Sequence, residues 1–238
     1  MTVTTSWHDE VLVASIDRPH RRNAADLAVD AALEDAVTAE AAAVVITGSG
    51  GDFSAGDDVA IFDFDGLDEA EQFLARVTRL FELVESVPRP VVAAVDGYAL
   101  GFGFELALVS DLAIATPESV FGLPEITHGA APPNALGRGI DVLGRGWVRH
   151  LAVSGRRWLS GSEAHRHGMI IELHPADRLR SAAVDLAGQA ARSGEFAQAK
   201  RLLTAEAGST YRMVPPVMAP LMASSTVAAS RRSYTDHG

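Results

Sequence analysis

The sequence predicts an α/β fold, with strands and helices alternating through the first half of the chain and helices dominating the rest. Three observations carry this. Short apolar runs rich in β-branched residues and alanine recur at Val11–Asp17, Ala43–Thr47, Val91–Val95 and Leu112–Ala115. Between them lie stretches with apolar residues every three or four positions. The chain has 238 residues, 47% of them hydrophobic, which suits one large domain with a sizeable core.

The elements follow in order. Val11–Asp17 reads as a strand closed by Arg18-Pro19. Ala25–Ala42 is alanine-rich and helical, with Leu27, Ala31, Leu33 and Val37 near helical spacing. Ala43–Thr47 is a strand, followed by a turn at Gly48–Gly51 and a loop at Asp52–Asp58. Asp68–Val87 is a long amphipathic helix carrying Phe73, Val77, Leu80, Phe81 and Val84, and Pro88 and Pro90 end it. Val91–Val95 is a buried strand that feeds a glycine-rich turn and a helix over Phe104–Val109. After the strand Leu112–Ala115, Val120–Pro133 reads as irregular. Helices are expected at Ala135–Leu143, Trp147–Ser154, Ser162–His167, Ala176–Ala191 and Phe196–Ala205, with a strand at Met169–Leu173. The apolar, Met- and Pro-bearing stretch Pro215–Ser225 suits either a core-packing tail or a contact with another subunit.

Composition excludes several functions. A net charge of −11 argues against nucleic acid, which needs a basic face. No apolar run reaches the ~18 residues of a membrane span, and Met1–Glu10 lacks the layout of a signal peptide. Cysteine is absent, which rules out disulfides, thiolate metal sites and a Cys nucleophile, and fits a cytoplasmic protein. The eight histidines form no H-E-x-x-H pair, so no metal site is expected, and no G-x-S-x-G marks a serine hydrolase.

The most informative stretch is Val91-Val-Ala-Ala-Val-Asp-Gly-Tyr-Ala-Leu-Gly-Phe-Gly-Phe-Glu-Leu-Ala-Leu. Strand, glycine turn and helix follow one another, and such a turn leaves N–H groups free at a helix start. It is not a dinucleotide fingerprint, because Leu106 stands where the third glycine would be. Glu105 falls in the first helical turn, and Glu125 follows Gly122-Leu-Pro in a loop. Each alone reads as a helix-dipole acid or a surface acid. Two converging carboxylates would make an acid/base pair if burial raised one pKa.

These segments also occur in the order of a known family. Asp17-Arg-Pro-His-Arg-Arg-Asn-Ala, Val44-Val-Ile-Thr-Gly with Phe53-Ser-Ala-Gly-Asp-Asp, Pro90–Ala107, Ser110–Ala115, Phe121-Gly-Leu-Pro-Glu, and Gly161-Ser-Glu-Ala with Gly168-Met-Ile resemble the crotonase (enoyl-CoA hydratase/isomerase) superfamily from about residue 10 to about 205. The resemblance implies a ββα superhelix over 1–190 and a helical C-terminal trimerisation region over 191–238, assembled as homotrimers or dimers of trimers. It implies a coenzyme A thioester, or an acyl-carrier-protein thioester, as substrate, with no permanently bound cofactor.

By alignment, the N–H groups of Asp57 and Phe102 would stabilise a thioester enolate, and Glu105 and Glu125 would be the acids that hydratases use. Arg21, Arg22, Ala24, Ala55, Asp58, Val59 and Lys200, the only lysine in the chain, would contact the CoA moiety. Gly101, Gly103, His128, Gly129, Pro133 and Asn134 would line the acyl pocket. Four features depart from the family pattern: bulky Phe102 beside the acyl site, the carboxylate of Asp57, the Pro133-Asn134 pair, and the tail after about residue 208. Retention of both glutamates favours water addition to an enoyl thioester. Phe102 and Pro124-Glu-Ile-Thr-His-Gly also resemble a carbon–carbon bond-forming branch, so the second reading is a specialised crotonase that decarboxylates, isomerises or forms carbon–carbon bonds with Glu125 and His128, and a non-catalytic acyl-CoA-binding subunit is the third.

Overall fold

The computed structural model describes residues 2–62, 64–155 and 158–204. Pro215–Ser225 lies outside them. A six-stranded sheet runs in the order β1 (Val3–His8), β2 (Val11–Ile16), β3 (Ala43–Gly48), β4 (Val91–Val95), β6 (Leu112–Ala115), β9 (Glu172–Leu173). Only the β1–β2 hairpin is antiparallel. A second sheet of three short strands has the order β5 (Tyr98–Leu100), β7 (Val120–Gly122), β8 (Trp158–Ser160).

The chain alternates between the two sheets. β4 of the large sheet is followed by β5 of the small one and then helix α3 (Phe102–Val109); β6 is followed by β7 and then α4 (Pro133–Ser154). This strand–strand–helix repeat is the expected ββα spiral.

Helices cover both faces of the large sheet, so its central strands are buried throughout, as parallel strands require. The two-residue period sorts their side chains. Leu12, Ala14, Ile16, Val44, Ile46, Ala93 and Val95 face α1 (Leu27–Thr38), α2 (Leu67–Ser86) and α3 in the main core. Val11, Val13, Val45, Val92 and Ala94 face the other way, onto Leu179, Ala183 and Ala187 of α6 (Ala176–Ala191). Each buried Val or Leu contributes roughly 1.5–3 kcal/mol.

Several boundaries differ from those the sequence suggested. β1 lies in the polar N-terminus, as an edge strand whose outward residues face solvent. α1 begins at Leu27 because Asp26 caps it, accepting from the N–H groups of Ala28 and Val29. The stretch 120–133 contains β7 and a 3₁₀ turn (Glu125–His128). The helices expected at Ala135–Leu143 and Trp147–Ser154 are both present within α4, separated at Gly144, whose φ of 77° and ψ of 151° are not helical. The strand expected over 169–173 is only two residues long.

α7 (Phe196–Leu203) packs against α2. Its Lys200 is buried: Nζ donates to the carbonyls of Val84 (2.7 Å) and Arg89 (3.2 Å) and to Asp111 Oδ2 (2.7 Å). No described helix is long and apolar enough to cross a membrane.

Candidate active site

The site forms where the glycine turn before α3 meets two loops. Gly101 is held at φ 50° and donates its N–H to the carbonyl of Gly122. That bond and the parallel β5–β7 pairing bring the segment after β7, and with it Glu125, to the start of α3. A Cβ on Gly101 would lie 3.0 Å from Glu125 Oε1 and 3.7 Å from Gly56 Cα. Glycine is needed here for its backbone angle and because the neighbouring groups leave little room.

The loop Phe53–Asp58 is fixed from both sides. Ser54 N–H donates to the carbonyl of Tyr98, and Leu100 N–H donates to that of Ser54. Ala25 N–H donates to the carbonyl of Gly56, and Asp58 N–H to that of Ala25. Asp57 N–H, between these anchors, takes part in no backbone hydrogen bond among the described residues. Nor does that of Phe102, which opens α3 and has no carbonyl one turn earlier to reach. The Phe102 ring is buried against Phe81, at 5.6 Å between centroids, and so belongs to the main core.

Glu105, in the first turn of α3, is buried and fully engaged. Its Oε1 accepts from the N–H groups of Asn134 and Ala135, each at 2.8 Å, and Oε2 accepts from Asn134 Nδ2 at 3.3 Å. The local sequence explains why. Pro132 caps α4 and Pro133 opens it, so the first N–H groups the helix can offer are those of 134 and 135. Neither proline has a capping side chain, and Glu105 supplies the acceptor from another element. These donors and the helix dipole favour its carboxylate, but burial outweighs them and raises its pKa to about 7.

Glu125 differs. Burial and the nearby charges of Glu105 and Asp57 hold its pKa well above the ordinary range, and Oε2 has no partner among the described residues. Asp57 is likewise pushed well up, by burial and by Asp30 and Glu105, and its Oδ1 is unpartnered. Burial lowers the pKa of His128, in the turn after Glu125.

The expected CoA contacts divide into two places. The Arg18–Ala24 turn abuts the 55–59 loop, with Ala55 N–H donating to the carbonyl of Arg22 and Ala24 N–H to that of Arg21. Asp58 pairs with Arg18 and Arg21 and caps the turn opened by Val59, while Arg22 lies 5.0 Å from the Tyr98 ring centroid. Lys200, expected to contact the CoA moiety, has its ammonium held by Asp111 and the carbonyls of Val84 and Arg89. Of the expected pocket residues, Gly101 borders Glu125, and Asn134 holds Glu105. Gly103 is packed on Ser54, and Gly129 ends the Glu125 turn in the left-handed region. Pro133 contributes its backbone as the first residue of α4.

Two residues were missed. Asn23 is buried and ties three loops, accepting from Arg18 N–H and donating to the carbonyls of Ser49 and Asp52. Asp30 is 3% exposed on the core face of α1, with Oδ1 unpartnered and its pKa raised to about 7, chiefly by burial. An acid one position from Val29 and three from Leu33, on an apolar stripe, was the signal for it.

Among the described residues, no three His, Asp or Glu are arranged to hold a metal ion. The family model described as enoyl-CoA hydratase/isomerase matches residues 7–216. The chain is 32% identical to a crotonyl-CoA hydratase of Syntrophomonas wolfei subsp. wolfei over 196 residues, 79% of this chain and 75% of that protein. It is 32% identical to a 2,3-dehydroadipyl-CoA hydratase of Escherichia coli (strain K12) over 203 residues, 81% and 76% of the two. It is similar in structure to an enoyl-CoA hydratase/isomerase of Pseudoalteromonas atlantica T6c, with a TM-score of 0.87 and 25% identity over 100% of this chain and 98% of the other. With the family model spanning most of its length, the chain belongs to the enoyl-CoA hydratase/isomerase family, within the crotonase superfamily.

Proposed function

We propose that the protein adds water reversibly across the Cα–Cβ double bond of an enoyl-CoA thioester. The observation that carries this reading is the convergence on the Gly101 turn of buried Glu105 and half-buried Glu125, whose Oε2 is sealed from solvent, beside two backbone N–H groups left without backbone partners. The thioester oxygen would sit between the N–H groups of Asp57 and Phe102. Donors preorganised for an oxyanion contribute about 3–4 kcal/mol each in comparable holes.

The environments of the glutamates set their roles. Glu105, facing three donors, is the one more readily ionised and serves as the base. Glu125, with a free oxygen and a charged neighbour, holds the proton. Water attacks Cβ and gives its proton to Glu105, while the π electrons move onto the thioester oxygen as an enolate. The enolate collapses, and Cα takes the proton from Glu125. Proton exchange between the two carboxyls or with solvent restores the starting state. The cluster of Arg21, Arg22, Ala24, Ala55, Asp58 and Val59 is the candidate CoA contact, and a homotrimer or dimer of trimers is the proposed assembly.

The test is hydration of a panel of enoyl-CoAs, followed by loss of the conjugated-thioester absorbance. Glu105→Gln and Glu125→Gln should each lower kcat by at least about a hundredfold, in the range of general acid–base contributions. Full activity in Glu105→Gln would rule out the paired-acid mechanism. Tight acyl-CoA binding without turnover of any enoyl thioester would favour a binding subunit.

A further inference from the structure

Beyond the two glutamates, the site contains carboxyl groups that the hydration mechanism does not use. Asp57 is one of them. The residues flanking it bond Ala25, two residues before α1: Ala25 N–H donates to the carbonyl of Gly56 at 2.8 Å, and Asp58 N–H to that of Ala25 at 2.6 Å. Asp30 lies one turn into α1, close enough for its charge to act on Asp57. On the other side, Gly56 and Glu125 flank Gly101. One wall therefore runs from Asp30 through Asp57 to Glu125.

Each of these three acids has an oxygen sealed from solvent and without a hydrogen-bond partner among the described residues: Asp30 Oδ1, Asp57 Oδ1 and Glu125 Oε2. Thr78 Oγ1, on the α2 helix that packs against α1, is in the same condition. Leaving a buried polar atom unpaired costs about 1–3 kcal/mol. An apolar acyl chain would leave Asp57 Oδ1 unpaired, whereas a chain with a donor beside it would give it a partner.

Building on the hydratase reading, we propose that Asp57, backed by Asp30, is a specificity-determining side chain: its unpartnered oxygen accepts from a hydrogen-bond-donating substituent, hydroxyl or ammonium, on the acyl chain. Because the N–H of the same residue is assigned to the thioester oxygen, the substituent recognised lies only a few bonds from the thioester carbon. Discrimination of this kind is steep, because a site built to pair a polar group is left with unpaired groups by an analogue that lacks it.

The experiment is calorimetric binding of three saturated thioesters to the full-length protein: butyryl-, 4-hydroxybutyryl- and 4-aminobutyryl-CoA, each referred to free CoA. Substitution at C4 avoids the 3-hydroxyl that hydration itself would create. At least one donor-bearing thioester should bind tenfold or more tighter than butyryl-CoA. The hydroxyl and ammonium arms identify which donor is read. Asp57→Ala and Asp30→Leu should each reduce that preference to within about twofold, with Asp30→Asn as a same-shape companion whose folding is checked by unfolding.

Butyryl-CoA binding as tightly as both donor-bearing forms overturns the proposal without any variant, as does a preference that survives in Asp57→Ala and Asp30→Leu. Because binding is measured without chemistry, a retained preference with no turnover of any enoyl-CoA refutes hydration alone. Hydration of a simple alkenoyl-CoA with no donor preference refutes the specificity proposal alone.

Discussion

At the residue scale, the two glutamates are chemically unlike despite sharing one site. Glu105 has its oxygens filled by Asn134 and Ala135, whereas Glu125 keeps one open. Asn134 is therefore a positioning residue whose amide favours the ionised form of Glu105. Asn134→Ala removes one of three donors and should raise the Glu105 pKa further above its value of about 7. The acid limb of the kcat/KM profile, set by ionisation of the base, should move to higher pH, with activity at pH 6 falling more than activity at pH 8. A profile merely scaled down at every pH would show that Asn134 supports only the fold. The pairing of Glu105 with Glu125 was not readable from their twenty-residue separation. It depends on Gly101 N–H meeting the Gly122 carbonyl, a long-range contact that no local periodicity encodes. Each glutamate was nevertheless visible as a candidate, because both follow glycine-bearing turns after strands.

At the scale of elements, the strands with pure β-branched or alanine sequences were legible because both faces are covered and every position is apolar. β1, β5 and β8 were not. Each is short or half exposed, and pairing with a neighbour, not composition, makes it a strand. The same dependence on tertiary context explains Lys200. A lone lysine near the end of a CoA-enzyme sequence suggests a phosphate contact, yet α7 uses it as a peg into the gap between α2 and β6. Burial lowers its pKa, and Asp111 opposes that shift. Lys200→Met leaves Asp111 in a nearly closed site without its partner, which costs about 3–5 kcal/mol for a buried pair broken on one side. Urea unfolding should report a loss of that order, and Asp111→Asn in the same chain should recover part of it. A variant with undiminished stability but weakened CoA binding would reverse this assignment.

At the scale of the molecule, the chain carries a net charge of −11 and also buries carboxyl groups whose pKa values are raised in the folded state. Asp30 rises from 3.8, and Glu105 from 4.5, to about 7. Between those limits the native protein holds protons that the unfolded chain has released. The unfolding free energy must therefore fall as pH rises through this window, by up to about 1.4 kcal/mol per pH unit for each such group. Their contribution is fully present below about pH 4 and lost above about pH 7; Asp57 and Glu125, raised as well, extend the decline upward. Net negative charge adds to it by self-repulsion. Asp30→Asn isolates one contribution, because the amide keeps the shape and cannot ionise. Urea midpoints measured from pH 5 to 8 should decline steeply in the wild type and less steeply in Asp30→Asn, with the variant gaining relative stability toward pH 8. Parallel curves would mean that Asp30 ionises in the folded protein much as it does in the unfolded chain, and that the acids along this wall are solvated instead of sealed.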